Sequence, residues 1–235
     1  MENTKIRMIL CDVDGTLLEK GNTTISDDVF RAVEYAVSKG TEFVIASGRT
    51  YCDLKKLFSK VKDKVTFICG DGSLVIKNSK VIFSSVIDKA LILRFVPLVN
   101  SKNIVLYSER GASKIEEADT CGNVYKLAFY SLSDSERQKV RTCAKNTGRL
   151  CEVYSDNLWT EFVSSGTNKG KAAEFLQKLS GVSTLETAAF GDNTNDFEML
   201  RCACHTFSPP GAIPDIKRMC KYETTNVVNE IMNIL

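Results

Sequence analysis

The sequence lacks several features that would assign it to a common class of protein. No uninterrupted apolar run approaches the roughly 18–20 residues that span a bilayer, and the most apolar stretch, residues 90–99, is interrupted by Arg94 and Pro97. No pair of cysteines has the CxxC spacing of a zinc site. Neither sign of charge predominates, because 31 basic residues stand against 29 acidic ones. These absences argue against a membrane span, a zinc finger and a nucleic-acid-binding surface.

We also expect no secretory signal, since the apolar segment at residues 8–11 is too short for one. Its nine cysteines are odd in number, and several lie in apolar runs, where cysteine behaves as a small hydrophobic residue. Both observations are typical of reduced thiols, so we expect a cytoplasmic protein. With 235 residues, of which 43% are hydrophobic, the chain is long enough for one large domain or two modest ones.

The sequence does contain a regular alternation of apolar segments and helical patterns. Strands are predicted at residues 6–11, 43–46, 65–69 and 187–190. Helices are predicted at residues 26–40, 51–59, 170–179 and 195–201. Buried strands that alternate with helices indicate an α/β fold with a mostly parallel sheet covered on both faces.

The middle of the chain has a different pattern. Helices are predicted at residues 88–100 and 133–147, and shorter strands at residues 104–107, 124–130, 150–154 and 158–163. Two helices with several strands suggest a small α+β domain inserted into the outer one. We therefore predict a discontinuous core of residues 1–83 and 166–235, with an inserted α+β domain of residues 84–165.

Each predicted core strand ends abruptly in small, polar or acidic residues. Ligands bind beyond the carboxyl ends of the strands in an open parallel sheet. That rule brings together Asp12, Asp14, Ser47, Asp71, Asp192 and Asp196. Two carboxylates about 4 Å apart repel by roughly 4 kcal/mol, and a divalent cation offsets this cost. Ligands that are all oxygen favour Mg²⁺ over zinc, although any one of these aspartates taken alone could simply cap a turn or a helix.

Lys169 provides a second indication, because it lies where a helix is predicted to begin. A cation there opposes the helix dipole by roughly 0.3–1 kcal/mol, and an anion held beside it would reverse the sign. A solvated lysine is the alternative. The neighbouring acids favour a lysine that holds phosphate.

At these residues the sequence resembles the haloacid dehalogenase superfamily, and within it the Cof-type phosphatases of subclass IIB. Four motifs stand in family order over the whole core: Asp12-Val13-Asp14-Gly15-Thr16, Ser47-Gly48-Arg49, Lys169-Gly170-Lys171 and Gly191-Asp192-Asn193-Thr194-Asn195-Asp196. The resemblance implies a doubly wound, Rossmann-like core with a cap domain inserted between the second and third motifs. Residues 84–165 fall in that interval.

The resemblance also implies a role for each motif residue. Asp12 is the expected nucleophile and Asp14 the general acid and base. The expected ligands of Mg²⁺ are Asp12, the backbone carbonyl of Asp14, Asp192 and Asp196. The phosphoryl oxygens are expected to contact Ser47, Gly48, Lys169 and Asn195. Arg49 is a candidate substrate contact, with a surface ion pair as the alternative.

One departure from the family pattern lies after the third strand, where relatives commonly carry Asn-Gly and this chain has Asp71-Gly72. Asp71 could add negative charge near the phosphate entrance and contact the substrate, or it could hydrogen-bond within a loop.

Taken together, the residues and the resemblance predict a Mg²⁺-dependent phosphatase of small phosphorylated metabolites, sugar phosphates above all, that works through an aspartyl-phosphate. A phosphotransferase or sugar-phosphate mutase with the same phospho-aspartate is the alternative. A binding protein on an inactive scaffold is a third hypothesis, and the complete set of acids, Ser47 and Lys169 argues against it. We expect neither nucleic acid nor a membrane as a partner.

Overall fold

The structure, a computed structural model, describes residues 5–19, 21–155 and 157–235, so residues 1–4 and residue 20 of the predicted core lie outside the described part. Its strands are β1 (Met8–Asp12), β2 (Glu42–Ala46), β3 (Thr66–Cys69), β4 (Leu74–Lys77), β5 (Lys80–Ser84), β6 (Ile104–Ser108), β7 (Gly111–Lys114), β8 (Val124–Tyr130), β9 (Leu150–Ser155), β10 (Trp159–Ser164), β11 (Thr187–Phe190), β12 (His205–Ser208) and β13 (Tyr222–Glu223). Its α-helices are α1 (Asp27–Ser38), α2 (Tyr51–Leu57), α3 (Lys89–Leu93), α4 (Asp134–Thr147), α5 (Lys169–Ser180), α6 (Phe197–Arg201), α7 (Pro214–Met219) and α8 (Val227–Asn233).

The larger sheet has the strand order β13-β12-β11-β1-β2-β3-β4-β5 in the described part of the chain. The strands from β13 to β3 are parallel, whereas β4 and β5 form an antiparallel hairpin at the edge. The predicted α/β fold with a mostly parallel sheet is therefore confirmed. The hairpin was not predicted. Its turn residues Asn78 and Ser79 have φ angles of 51° and 58°, the left-handed conformation that tight hairpin turns require.

Both faces of this sheet are covered by helices. Alternate residues of β1 point to opposite faces, so Ile9 packs in one apolar cluster with residues of α1, α2 and α8, and Leu10 packs in another with residues of α5, α6 and α7. Helix α1 illustrates how the sequence specifies such an element. Its buried face repeats at helical spacing, and Asp27 and Asp28 lie in its first turn, where carboxylates interact favourably with the helix dipole.

The smaller sheet is antiparallel, with the order β7-β6-β8-β10-β9. It packs against α3 and α4 around the rings of Phe95, Phe129 and Phe162. The helix predicted at residues 88–100 is wrong in extent, because α3 ends at Leu93 and a 3₁₀ turn follows at Val96–Leu98. Pro97 explains the difference, since its ring clashes with the carbonyl four residues earlier and it has no N–H to donate.

The smaller sheet lies within the predicted insert, and the proposed domain limits at residues 84 and 165 stay a prediction. Among the described helices, none combines the length and the apolar character that a bilayer crossing requires.

Candidate active site

The first motif lies where β1 meets the loop that follows it. Asp12 is the last residue of the strand and is buried. The chain then turns at Gly15, which has a φ of +95°. A Cβ at that position would lie 2.2 Å from Asp192 Oδ2. Glycine is therefore required both by the backbone conformation and by the close approach of a second acid.

Three buried carboxylates, which we call the acid cluster, lie together here: Asp12, Asp192 and Asp196. Each offers an oxygen within 4.8 Å of the others. Asp196 accepts hydrogen bonds from the backbone N–H groups of Asp192 and Asn193 at 3.0 and 3.1 Å. No described residue donates a hydrogen bond to the buried Asp12 Oδ2. Three hard oxygen donors and one unsatisfied carboxylate oxygen fit a divalent cation such as Mg²⁺.

Lys169 is the first residue of α5 and its side chain is fully buried behind the acid cluster. Its ammonium donates to Asp12 Oδ1 at 2.6 Å and to Asp196 Oδ1 at 2.7 Å. Burial alone would lower the pKa of Lys169, but the charges of Asp12 and Asp196 prevail and raise it. Burial and then the charge of Asp196 raise the pKa of Asp12 well above its ordinary value, although Lys169 acts in the opposite direction.

The second motif follows β2. Ser47 is buried, and its backbone N–H donates to the carbonyl of Ile68 on the neighbouring strand. Arg49 reaches across to Asp14, with Nε 2.8 Å from Oδ2 and Nη2 2.6 Å from Oδ1. This two-point contact is the geometry that a guanidinium and a carboxylate favour. Arg49 is therefore the partner of Asp14 in this structure, and its predicted contact with substrate stays a prediction.

Asp71 follows β3 and is buried in a left-handed backbone conformation, with φ 55°. Its Oδ1 accepts from Asn195 Nδ2 at 2.9 Å. It also lies close to Gly48, where a Cβ would be 2.9 Å from Asp71 Oδ2. The hydrogen bond ties the third strand to the fourth motif, and the predicted contact of Asp71 with substrate stays a prediction.

The second partner of Asp71 was not predicted from the sequence. Lys126, in the middle of β8, donates to Asp71 Oδ2 at 3.3 Å and to Glu161 Oε2, on β10, at 2.7 Å. Its ammonium also lies 4.5 Å from the centre of the Tyr107 ring. We call Asp71, Lys126 and Glu161 the cap triad. The sequence contained one indication of this contact, because Lys126 interrupts an otherwise apolar strand. In the structure all residues from Val124 to Phe129 are buried.

Burial acts to raise the pKa of Asp71, but the charges of Lys126 and Lys169 and the hydrogen bond from Asn195 outweigh it, so the pKa is lowered. The opposite balance holds for Lys126. Burial acts to lower its pKa, and the charges of Asp71 and Glu161 raise it overall. All three members of the triad are buried, and the lysine is held as a cation between two carboxylates.

A cavity of about 490 Å³ lies between the two sheets. The larger sheet contributes eight of the predicted site residues to its lining: Asp12, Asp14, Ser47, Gly48, Arg49, Asp71, Asp192 and Asn195. The smaller sheet contributes Tyr107, Lys126, Tyr154 and Glu161. The two remaining predicted residues, Lys169 and Asp196, lie directly behind Asp12. All ten predicted site residues are thus brought to one end of the larger sheet.

Known proteins with a similar sequence or fold include named phosphatases. A family model described as haloacid dehalogenase-like hydrolase matches residues 9–144 and 112–231. The chain is 24% identical to the 5-amino-6-(5-phospho-D-ribitylamino)uracil phosphatase YbjI of Escherichia coli, over 92% of this chain and 90% of that protein. It is 22% identical to the phosphatase YwtE of Bacillus subtilis, which carries the same substrate name, over 93% of each chain. In fold it is similar to the HAD subclass IIB sugar phosphatase BT4131, with a TM-score of 0.78, 20% identity, and coverage of 97% of this chain and 100% of that one.

Proposed function

Because this chain belongs to the haloacid dehalogenase-like hydrolase family, we propose that it is a Mg²⁺-dependent phosphatase of small phosphorylated metabolites that works through an aspartyl-phosphate. It is a phosphoric monoester hydrolase, as its named relatives are. One observation carries the proposal. The Asp12 carboxylate lines the cavity with Oδ1 held by Lys169 and with Oδ2 unpartnered among the described residues.

We assign the covalent step to Asp12. One of its oxygens forms a bond to phosphorus as the ester bond breaks, and Asp14 donates a proton to the leaving oxygen. In the second step Asp14 takes a proton from the water that attacks phosphorus. Phosphate leaves, Asp12 is again a carboxylate and Asp14 is again protonated.

The other motif residues have electrostatic roles in this proposal. The acid cluster and the backbone carbonyl of Asp14 would hold Mg²⁺, which would supply charge neutralisation at the phosphoryl group. Ser47, the backbone of Gly48, Asn195 and Lys169 donate to those oxygens. Since the nucleophile and the phosphate are both anionic, positioning and charge neutralisation supply most of the rate enhancement.

We propose residues 84–165 as a cap domain that closes over the leaving group. The support for this is the cavity lining, because Tyr107, Lys126, Tyr154 and Glu161 all face the motif residues from the smaller sheet. We propose phosphorylated sugars or sugar alcohols as substrates. The names of the relatives support this class, since YbjI and YwtE are named for a phosphoribityl compound and BT4131 for a sugar phosphate. A cytoplasmic location fits the nine cysteines, all of which are free thiols.

Phosphate release from a panel of phosphorylated sugars, sugar alcohols, nucleotides and p-nitrophenyl phosphate, with Mg²⁺ and no acceptor, tests the function. We expect release from wild type and a loss of at least about 10³-fold in Asp12→Asn, because an amide cannot act as the nucleophile. Asp63→Asn, a change at an exposed acid outside the cavity, is the matched control and should be as active as wild type. Turnover that survives in Asp12→Asn would remove Asp12 from its assigned role.

A further inference from the structure

The wall of the cavity is acidic well beyond the acid cluster. Seven of the residues that line it carry a carboxylate, and only Arg49 and Lys126 carry a positive charge. Arg49 is bound at two points to Asp14, and Lys126 is bound to both Asp71 and Glu161. Among the described residues, therefore, no cation lining the cavity lacks an acidic partner.

The cap triad fixes the charge of the wall that faces the acid cluster. It combines two carboxylates with one ammonium, so it carries a net charge of about −1 while all three side chains are nearly inaccessible to water. The positive charge of Lys126 is more than offset within the triad, because its ammonium donates to two carboxylates and lies against the ring of Tyr107. A charge in such a position is screened little by salt.

We propose that the cap triad restricts this site to phosphate monoesters whose leaving group carries no second negative charge, which means neutral, hydroxyl-bearing leaving groups. This inference rests on the proposed function, and it names the substrate class of that same site. Lys169 and a divalent cation would neutralise the charge of the phosphate itself. A carboxylate or a second phosphate on the leaving group is repelled by the triad, and no unpaired cation lies in the cavity wall, among the described residues, to neutralise it.

Asp71 contributes to this restriction, because it supplies one of the two negative charges of the triad and lines the cavity. Hydroxyl groups, in contrast, can donate to Glu161 and to the tyrosines of the cavity wall without an electrostatic cost.

Sorbitol 6-phosphate and 6-phosphogluconate provide a matched pair of probes, because they differ only in a terminal CH₂OH or carboxylate. The kcat/KM of wild type for each ester should be measured with Mg²⁺. The affinity of Asp12→Asn for each should be measured by calorimetry, which reports the preference without turnover. We expect sorbitol 6-phosphate to be preferred by about tenfold or more in both measurements, from the repulsion between two charges a few ångströms apart.

Glu161→Gln removes one negative charge of the triad at nearly constant volume and should reduce the preference by about tenfold. Glu152→Gln is the matched control, because Glu152 is a glutamate of the same sheet that pairs with Arg141 outside the cavity, and it should leave the preference unchanged. If Glu161→Gln does not fold, Asp71→Asn is the second variant, because it removes the other negative charge of the triad.

Equal use of the two esters, a preference for 6-phosphogluconate, or a preference that Glu161→Gln and Glu152→Gln alter equally would overturn the proposal. If no ester is hydrolysed but the binding preference is found, the proposed function fails while the charge selectivity of the site stands. If turnover is found without the preference, the charge selectivity fails while the proposed function stands, so the two failures are distinguishable.

Discussion

Lys126→Met is expected to destabilise the protein much more than the loss of an ordinary ion pair. Methionine is close to lysine in length and leaves no large cavity, so the change removes mainly the charge. Asp71 and Glu161 then remain buried and ionised without their cation. Breaking one side of a buried ion pair in this way costs about 3–5 kcal/mol, because the charge left behind is neither solvated nor compensated.

This loss of unfolding free energy corresponds to a measurable fall in the Tm. For a chain of 235 residues, a loss of 1 kcal/mol lowers the Tm by about 2–4 °C, so Lys126→Met should lower it by about 6–20 °C in scanning calorimetry. The double variant Lys126→Met, Glu161→Gln should recover part of the loss, because it leaves one stranded carboxylate instead of two.

Lys64→Met is the matched control for this experiment. Lys64 Nζ lies 2.6 Å from Glu34 Oε1, as close as Lys126 is to Glu161, but both side chains of that pair are about half exposed. Exposed pairs contribute at most about 1 kcal/mol, so this variant should lose no more than about 4 °C. A Tm that falls no further in Lys126→Met than in Lys64→Met would show that the cap triad is not a buried ionic contact.

Two further predictions concern the core. A Cβ at Gly72, where φ is +99°, would lie 2.1 Å from the carbonyl oxygen of Asn168. Gly72→Ala should therefore displace the start of α5, including Lys169, and lower both the Tm and kcat. Both losses should be far larger than in Gly181→Ala, where φ is +58° and no atom lies within 4 Å of the added Cβ. EDTA should abolish phosphate release, and added Mg²⁺ should restore it. Mg²⁺ at about 100 times its Kd should also stabilise the fold by about 2.7 kcal/mol. A Tm and an activity that do not respond to EDTA or to Mg²⁺ would contradict the metal site.

The motif residues of the larger sheet could be predicted because the rule that locates them is local. Each apolar strand ends at a polar residue, and parallel strands place those ends at one edge. Strand β11, predicted at residues 187–190, has those bounds in the structure. The hairpin of β4 and β5 escaped prediction, because its turn is formed by Asn78 and Ser79 without a glycine, and glycine is the usual signal of such a turn.

Lys126 could not be placed from the sequence for a different reason. Its partners Asp71 and Glu161 are 55 and 35 residues away along the chain, and no motif connects the three. A lysine within an apolar strand also has an ordinary explanation, since its ammonium can reach solvent at a sheet edge. Only the packing of the smaller sheet against the end of the larger one shows that this lysine is buried and that two acids neutralise it.

The cap triad resembles the acid cluster together with its neighbour Lys169, and the two groups differ in two respects. In both, a fully buried lysine bridges two carboxylates: Lys126 at 2.7 and 3.3 Å, Lys169 at 2.6 and 2.7 Å. The acid cluster has a third acid, Asp192, and an oxygen of Asp12 that no described residue satisfies. At 4.8 Å and an effective dielectric near 20, each added carboxylate pair contributes about 3.5 kcal/mol of repulsion. A divalent cation would relieve that repulsion, so the third acid suits the acid cluster to a metal ion. The cap triad has only two acids around its lysine, and we infer that it acts as a charged wall.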